Sequence, residues 1–106
     1  MSKYLLEGSY TAEGAKGLMK EGASSRRKTV EDLVRSMGGS VESFYYSFGA
    51  IDVYLIVDLP DVATAVALSM AVNQSGAVVL KSHVLLSIEE MDQAAQKSPN
   101  YRAPGK

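Results

Sequence analysis

The sequence predicts an α+β fold: an antiparallel four-stranded sheet with its helices on one face. Three observations lead there. Four short runs rich in β-branched and aromatic residues have strand character, and a brief loop, Gly49-Ala50-Ile51, separates the second from the third as in a hairpin. Apolar residues at i, i+3, i+4 and i+7 fill the segments between the first and second runs and between the third and fourth. The chain has 106 residues, which suits one domain and leaves no room for two.

The first strand covers residues 3–10, KYLLEGSY, half apolar with aromatic ends. From Thr11 to Met37 the period is helical. Ala15, Leu18, Met19 and Gly22 fit one helical stripe, and Val30, Leu33, Val34 and Met37 repeat it. One helix of that length would run about 40 Å at 1.5 Å per residue, too long to cross a short sheet once. The polar GASSRRK between the stripes therefore predicts two pieces, residues 11–21 and 25–37. Ser24 or Ser25 is the expected N-cap of the second, and Gly38-Gly39 ends it. Residues 40–48, SVESFYYSF, form the second strand and residues 52–59, DVYLIVDL, the third. Pro60-Asp61 opens a helix, since proline suits the first turn and an acid suits the positive end of the helix dipole. That helix runs over 62–73, and Gly76 closes it. The fourth strand is 77–86. Ser87-Ile88-Glu89-Glu90 matches the capping box and starts a short last helix, to Gln96. The order of strands and sheet-crossing helices is β-α-β-β-α-β, the ferredoxin-like split βαβ arrangement, with right-handed crossovers expected. The domain spans residues 3–97. Residues 98–106, SPNYRAPGK, have two prolines and no periodicity, and are expected to be an extended or disordered tail.

Composition excludes several function classes. Eleven basic residues face twelve acidic ones, for a net charge of −1, which argues against a nucleic-acid binder working by general phosphate neutralisation. No apolar run approaches the roughly 18 residues of a membrane span. The opening MSKYLLEGSY has too short an apolar stretch for a signal peptide. The chain has no cysteine, which removes disulfides, thiolate catalysis and Cys-ligated metal centres. With a single histidine and no carboxylates clustered at ligand spacing, no metal site and no cofactor are expected. The composition is that of a globular cytoplasmic protein.

The apolar pattern speaks of partners. In the third strand Val53, Leu55 and Val57 point one way, Tyr54 and Ile56 the other. In the second, Phe44, Tyr46 and Phe48 share a face, and Val41 and Tyr45 share the opposite one with Ser43 and Ser47. In the fourth, Val78, Leu80, Val84 and Leu86 oppose Val79, Lys81, His83 and Leu85. Helices cover only one face of such a sheet, so the other would leave an apolar patch large enough to mark an interaction site. The helix after Pro60 is apolar nearly all round, the mark of burial on more than one side. Both point to a homodimer or higher homo-oligomer, most simply a two-fold dimer pairing sheet against sheet.

Tyr4, the stretch Tyr10-Thr11-Ala12-Glu13-Gly14 with Lys16-Gly17-Leu18, Gly38-Gly39, Phe44-Tyr45-Tyr46, Gly49 with Asp52 and Val53, and Asp58-Leu59-Pro60-Asp61 together resemble the GYD-domain family. The resemblance reaches to about Met91. It implies the dimeric α+β barrel group, whose members include small monooxygenases, isomerases and haem-degrading enzymes, and so implies a ferredoxin-like protomer and a dimer without fixing an activity. The family is named for a Gly-Tyr-Asp feature near the hairpin. This chain reads Gly49-Ala50-Ile51-Asp52, with Ile51 where the family tends to have tyrosine.

The densest chemistry is a tyrosine group. Tyr45, Tyr46 and Tyr54 lie on the hairpin strands, and Tyr4 and Tyr10 on the first. Tyr4, Tyr45, Tyr46, Tyr54 and His83 are the candidate ligand-binding residues for a small aromatic or quinone-like molecule, although tyrosine also suits half-buried strands on packing grounds. His83, the only histidine, is the candidate general base. Tyr46 and Tyr54 are the candidate polarising donors, and Asp52 is a candidate partner that equally suits a turn-closing role. Ser24, Ser25, Arg26 and Arg27 stand at a helix start, where free amides and guanidinium groups bind anions, and where a solvated basic turn is the plainer alternative. Gly14, Gly17 and Gly22 lack the GK[ST] ending of a phosphate loop. Three functions are consistent with these residues. They are a homo-oligomeric domain binding a small molecule in a barrel or interface cavity, a cofactor-independent monooxygenase or isomerase acting on an aromatic or enolisable substrate, and a structural or regulatory oligomerisation module.

Overall fold

The computed structural model describes residues 1–106. Its elements are β1 (Ser2–Tyr10), α1 (Ala12–Glu21), α2 (Ala23–Ser36), β2 (Ser40–Tyr46), β3 (Val53–Leu59), α3 (Val62–Gln74), β4 (Val78–Leu85) and α4 (Ile88–Lys97). The four strands form one antiparallel sheet in the order β2-β3-β1-β4, so the fold is α+β. No helix is long and apolar enough to cross a membrane.

Alternation builds the core. Every second residue of β3 is buried, Val53, Leu55, Val57 and Leu59. In antiparallel strands, directly opposed residues share a face. Tyr4 and Leu6 of β1 stand opposite Val57 and Leu55, and Leu80 of β4 stands opposite Gly8. Val34 of α2 and Ala65 and Leu68 of α3 close the same cluster from above. Burying each of the valine and leucine side chains stabilises the fold by about 1.5–3 kcal/mol.

Most helix starts follow their sequence signals. Thr11 caps α1 by accepting from the Gly14 amide at 3.1 Å, Asp61 caps α3 by accepting from the Thr64 amide at 2.8 Å, and Ser87 and Glu90 make both bonds of the capping box on α4. At Asp61, hydrogen bonding from Thr64 holds the carboxyl below its ordinary pKa. The start of α2 differs from expectation. Its N-cap is Gly22, at φ 96°, with no side-chain bond, and Ser24 and Ser25 lie inside the first turn. Gly22 reverses the chain in a left-handed conformation that disfavours residues with a Cβ, so α2 starts immediately after α1 and no linker remains for a serine cap.

The second strand also differs. It stops at Tyr46, and Phe48 takes φ 53° in the turn that leads to β3. A bulge between Val41 and Ser43 turns Val41 to the helix face opposite Val57, against the core, and not to the face of Tyr45 and Ser43. One extra residue reverses the parity of everything before it, which strict alternation does not foresee.

The α4 helix buries none of its residues, and residues 98–106 form no helix or strand. The radius of gyration is 16.8 Å against about 13 Å for a compact chain of this length, the surplus coming from this projecting C-terminal end.

The start of α1 is locked to the loop before β4. The Thr11 amide donates to the Ala77 carbonyl at 3.0 Å, and the Thr11 hydroxyl to the Gly76 carbonyl at 3.0 Å. Gly14 lies so close beneath that a Cβ would run into the Ala77 carbonyl, whereas Gly17, one turn on, has open space. Gly14→Ala is therefore expected to lower the unfolding free energy by about 1–3 kcal/mol through overpacking. Gly17→Ala should raise it by up to about 1 kcal/mol through helix propensity. Urea unfolding of the two variants measures both.

Candidate functional site

The helix face of the sheet carries a cleft at the end where β1 and β2 finish. β1 places Tyr10 there, and β2 places Phe44 and Tyr46. The Tyr10 and Phe48 rings stack with centroids 6.0 Å apart and planes 4° from parallel. Tyr46 stands 6.4 Å from Phe48 and meets Phe44 edge-on at 5.2 Å. Such aromatic contacts add about 0.5–1.5 kcal/mol each beyond area burial. The Asp52 carboxylate accepts from the Tyr10 amide at 2.8 Å, and the Asp52 amide donates to the Gly8 carbonyl at 3.0 Å. These bonds fasten the hairpin turn to the end of β1 and hold the aromatic wall in register.

The opposite wall is α2, with Arg26, Val30, Leu33 and Val34, and α3 contributes Leu68 and Val72. Between the walls lies a cavity of about 60 Å³ whose only charged lining residue is Arg26. An adjoining groove of about 300 Å³ shares Tyr10, Arg26, Val72 and Val78 with it, and is bounded by Glu13 and Glu21 of α1. The cleft therefore has an apolar depth and a polar mouth.

The mouth is electrostatically uneven. Burial, reinforced by the neighbouring Tyr46 phenol and only partly opposed by the Arg26 guanidinium, pushes the Tyr10 phenol up to about 12. Tyr10 thus stays a neutral hydroxyl through the physiological range, able to donate or accept. The Tyr46 hydroxyl is buried and has no hydrogen-bond partner, which is uncommon for a group of this kind.

The tyrosines split between the two faces. Tyr46 shares the helix face with Tyr10 and stands beside it, behind the cleft lining. Tyr4 shares the helix face but sits in the core, 1% exposed, its hydroxyl buried without a partner. Tyr45 and Tyr54 stand opposite each other on the far face, where Tyr54 also opposes Glu7, and Glu7 opposes Lys81. His83 occupies this far face too, its Nε2 3.3 Å from the Glu7 carboxylate. Its acidic neighbour is therefore Glu7, while Asp52 is engaged at the Tyr10 end of β1. His83 and Tyr46 lie on opposite sides of the sheet. On the far face Lys3 bridges Glu42 at 2.9 Å and Asp58 at 3.0 Å. The hydrogen bond that the Lys3 ammonium donates to Glu42, followed by the one it donates to Asp58, raises the Lys3 pKa.

The basic turn divides in the same way. Of Ser24, Ser25, Arg26 and Arg27, only Arg26 lines the cleft. The Ser25 hydroxyl donates to Glu21 at 3.1 Å, and Arg27 reaches Glu31 at 3.7 Å. What the tyrosine count overlooks at the cleft is Phe44 and the meeting of Tyr10 with Arg26. Parity along β1 carries part of that signal, since Tyr4, Leu6, Gly8 and Tyr10 alternate onto one face. The approach of α2 to that face does not show in the sequence.

A family model described as the GYD domain matches residues 4–95. No curated protein and no solved structure matches the chain.

The Tyr10 shift has a sign for stability. The folded phenol titrates near 12 and the unfolded one near its ordinary value of 10.0. Between those values the folded state holds the proton that the unfolded state has lost, so stability is full below pH 10 and falls as pH rises toward 12. Phenolate absorbance on titration should show one late-ionising tyrosine. Tyr10→Phe should remove it and flatten the loss of stability across that window.

Proposed function

The chain belongs to the GYD-domain family, and from that premise we propose that it is a homodimeric cytoplasmic domain binding a small molecule in the cleft between its sheet and the α1–α2 pair. The observation that carries this reading is the cleft itself: an apolar cavity whose mouth holds the Tyr10 phenol and the Arg26 guanidinium. Sites for small molecules typically combine an apolar lining with a few convergent polar groups. In fold terms we take the protomer as ferredoxin-like, its first crossover helix split into α1 and α2, and α4 added after the last strand. The strand order β2-β3-β1-β4 supports this.

The second copy is argued from the uncovered face. Leu5, Ile56, Tyr54 and Leu85 are half-buried there, and Tyr45 and Val79 are exposed at 71% and 52%. The charged groups among them are partly neutralised in place, Lys3 by Glu42 and Asp58, and Glu7 by His83 when protonated. A self-complementary sheet-to-sheet contact would bury the apolar part of this surface, with Lys81, opposite Glu7 and in no ion pair, left to find its partner on the second copy. The outer stripe of α3, Val62, Val66 and Met70, is also exposed and provides a further surface for higher assembly.

A second reading, cofactor-independent catalysis by a monooxygenase or isomerase, draws its support from the far face. There His83, Glu7 and Tyr54 lie close together, and a partner sheet would enclose them. In that reading His83 is the base and Tyr54 the donor, so His83→Ala and Tyr54→Phe should each abolish turnover.

Native mass spectrometry of protein purified from its own host tests the principal reading. The expected result is a species of twice the 11.4 kDa chain mass carrying a retained small molecule; a bare monomer at micromolar concentration counts against it. Ile56→Asp, which puts a carboxylate into the middle of the uncovered face, should convert the dimer to monomer in sedimentation while leaving the circular dichroism of the fold unchanged.

A further inference from the structure

We propose that the cleft takes a small aliphatic monocarboxylate, its chain in the apolar cavity and its carboxylate on the Arg26 guanidinium. The proposal rests on the cleft being the binding site and goes further by naming the ligand class.

Arg26 sets the charge. The other cations of α2 are matched within the helix: Arg27 with Glu31, and Lys28 and Arg35 with Asp32. Arg26, half-buried in the first turn, comes within ion-pair distance of no carboxylate. A cation in the first turn faces the positive end of the helix dipole and is disfavoured there. An anion at the mouth would satisfy the guanidinium and offset that unfavourable placement. The Tyr10 hydroxyl borders the same mouth as a neutral donor.

Glu13 and Glu21 limit the ligand to one negative charge. Both carboxylates bound the outer groove, and the Ser25 hydroxyl fixes Glu21 at 3.1 Å. A dicarboxylate, or a phosphate with its second charge, would extend its extra charge toward them.

The cavity sets the chain. Its 60 Å³ is well below the roughly 150 Å³ of an apolar cavity that admits benzene. A space this small favours the narrow cross-section of an unbranched alkyl chain over the breadth of a ring. With the carboxylate at Arg26, only the alkyl tail of a short acid such as pentanoate enters this space.

The test follows backbone amide shifts of the full chain on addition of pentanoate, pentanamide, benzoate or glutarate. Pentanoate is expected to shift Tyr10, Val30, Phe44 and Leu68, and to bind at least about tenfold more tightly than pentanamide, its neutral isostere. Arg26→Gln, at a half-exposed position that leaves the fold intact, should erase the difference between the two. Benzoate and glutarate should bind more weakly than pentanoate. Equal binding of acid and amide in the cleft overturns the carboxylate assignment and leaves the cleft reading standing, as does tighter binding of benzoate for the alkyl assignment. Absence of cleft shifts with all four probes overturns both.

Discussion

Val53, Leu55, Val57 and Leu59 all point from β3 into the helices, and the rest of the molecule follows from that shared direction. β3 lies between β2 and β1, so its buried side chains fix which residues of both neighbours face inward. They draw Val34 of α2 and Ala65 and Leu68 of α3 onto the same face. A slip of one residue in β3 would exchange this aliphatic row for Tyr54, Ile56 and Asp58 and strand a carboxylate in the core.

One-sided packing has a consequence on the other side. Three helices serve one face of the sheet, and α4 projects from the body without burying a residue. The far face is left with a mixed surface in which charges sit near their counter-charges, Lys3 between Glu42 and Asp58 and His83 beside Glu7. The apolar side chains gain by being covered, and the ion pairs reduce, without removing, the cost of desolvating the charges beside them. That is the physical case for a second copy there.

The cleft arises from the same layering at its margin. Where β1 and β2 end, the helices no longer fill the space above the sheet. The gap is walled by Tyr10 and Phe44, with Tyr46 and Phe48 stacked behind them, on one side and by α2 on the other. The Asp52 carboxylate and amide, bonded to the Tyr10 amide and the Gly8 carbonyl, and the left-handed turn at Phe48 hold the aromatic wall in place. Gly22 brings α2 back close to α1 and thereby sets Arg26 at the mouth. The apolar depth is a packing remnant, and its chemistry comes from the polar groups that border it.

Much of the fold was legible in the chain because period and punctuation are local. Two helices before β2, the Ser87 cap, the alternation in β3 and the short last helix all follow from residues within a turn or two of each other, whereas Pro60, expected in the first turn of α3, lies just ahead of its Asp61 cap. Legibility ended where the determinant was a single irregular residue or a contact between distant segments. The bulge after Val41 and the left-handed Phe48 changed which side chains of β2 face inward and where the strand ends. The tyrosines read as one group because composition counts residues without regard to side. The sheet then separated Tyr10 and Tyr46 from Tyr45 and Tyr54, buried Tyr4 in the core, and gave His83 to Glu7. The sequence by itself determined the elements, the aliphatic face and the membership of the GYD-domain family. Only the tertiary structure decided which functional groups meet, because the pairing of Tyr10 with Arg26 depends on how α2 crosses the sheet, and no local pattern encodes that crossing.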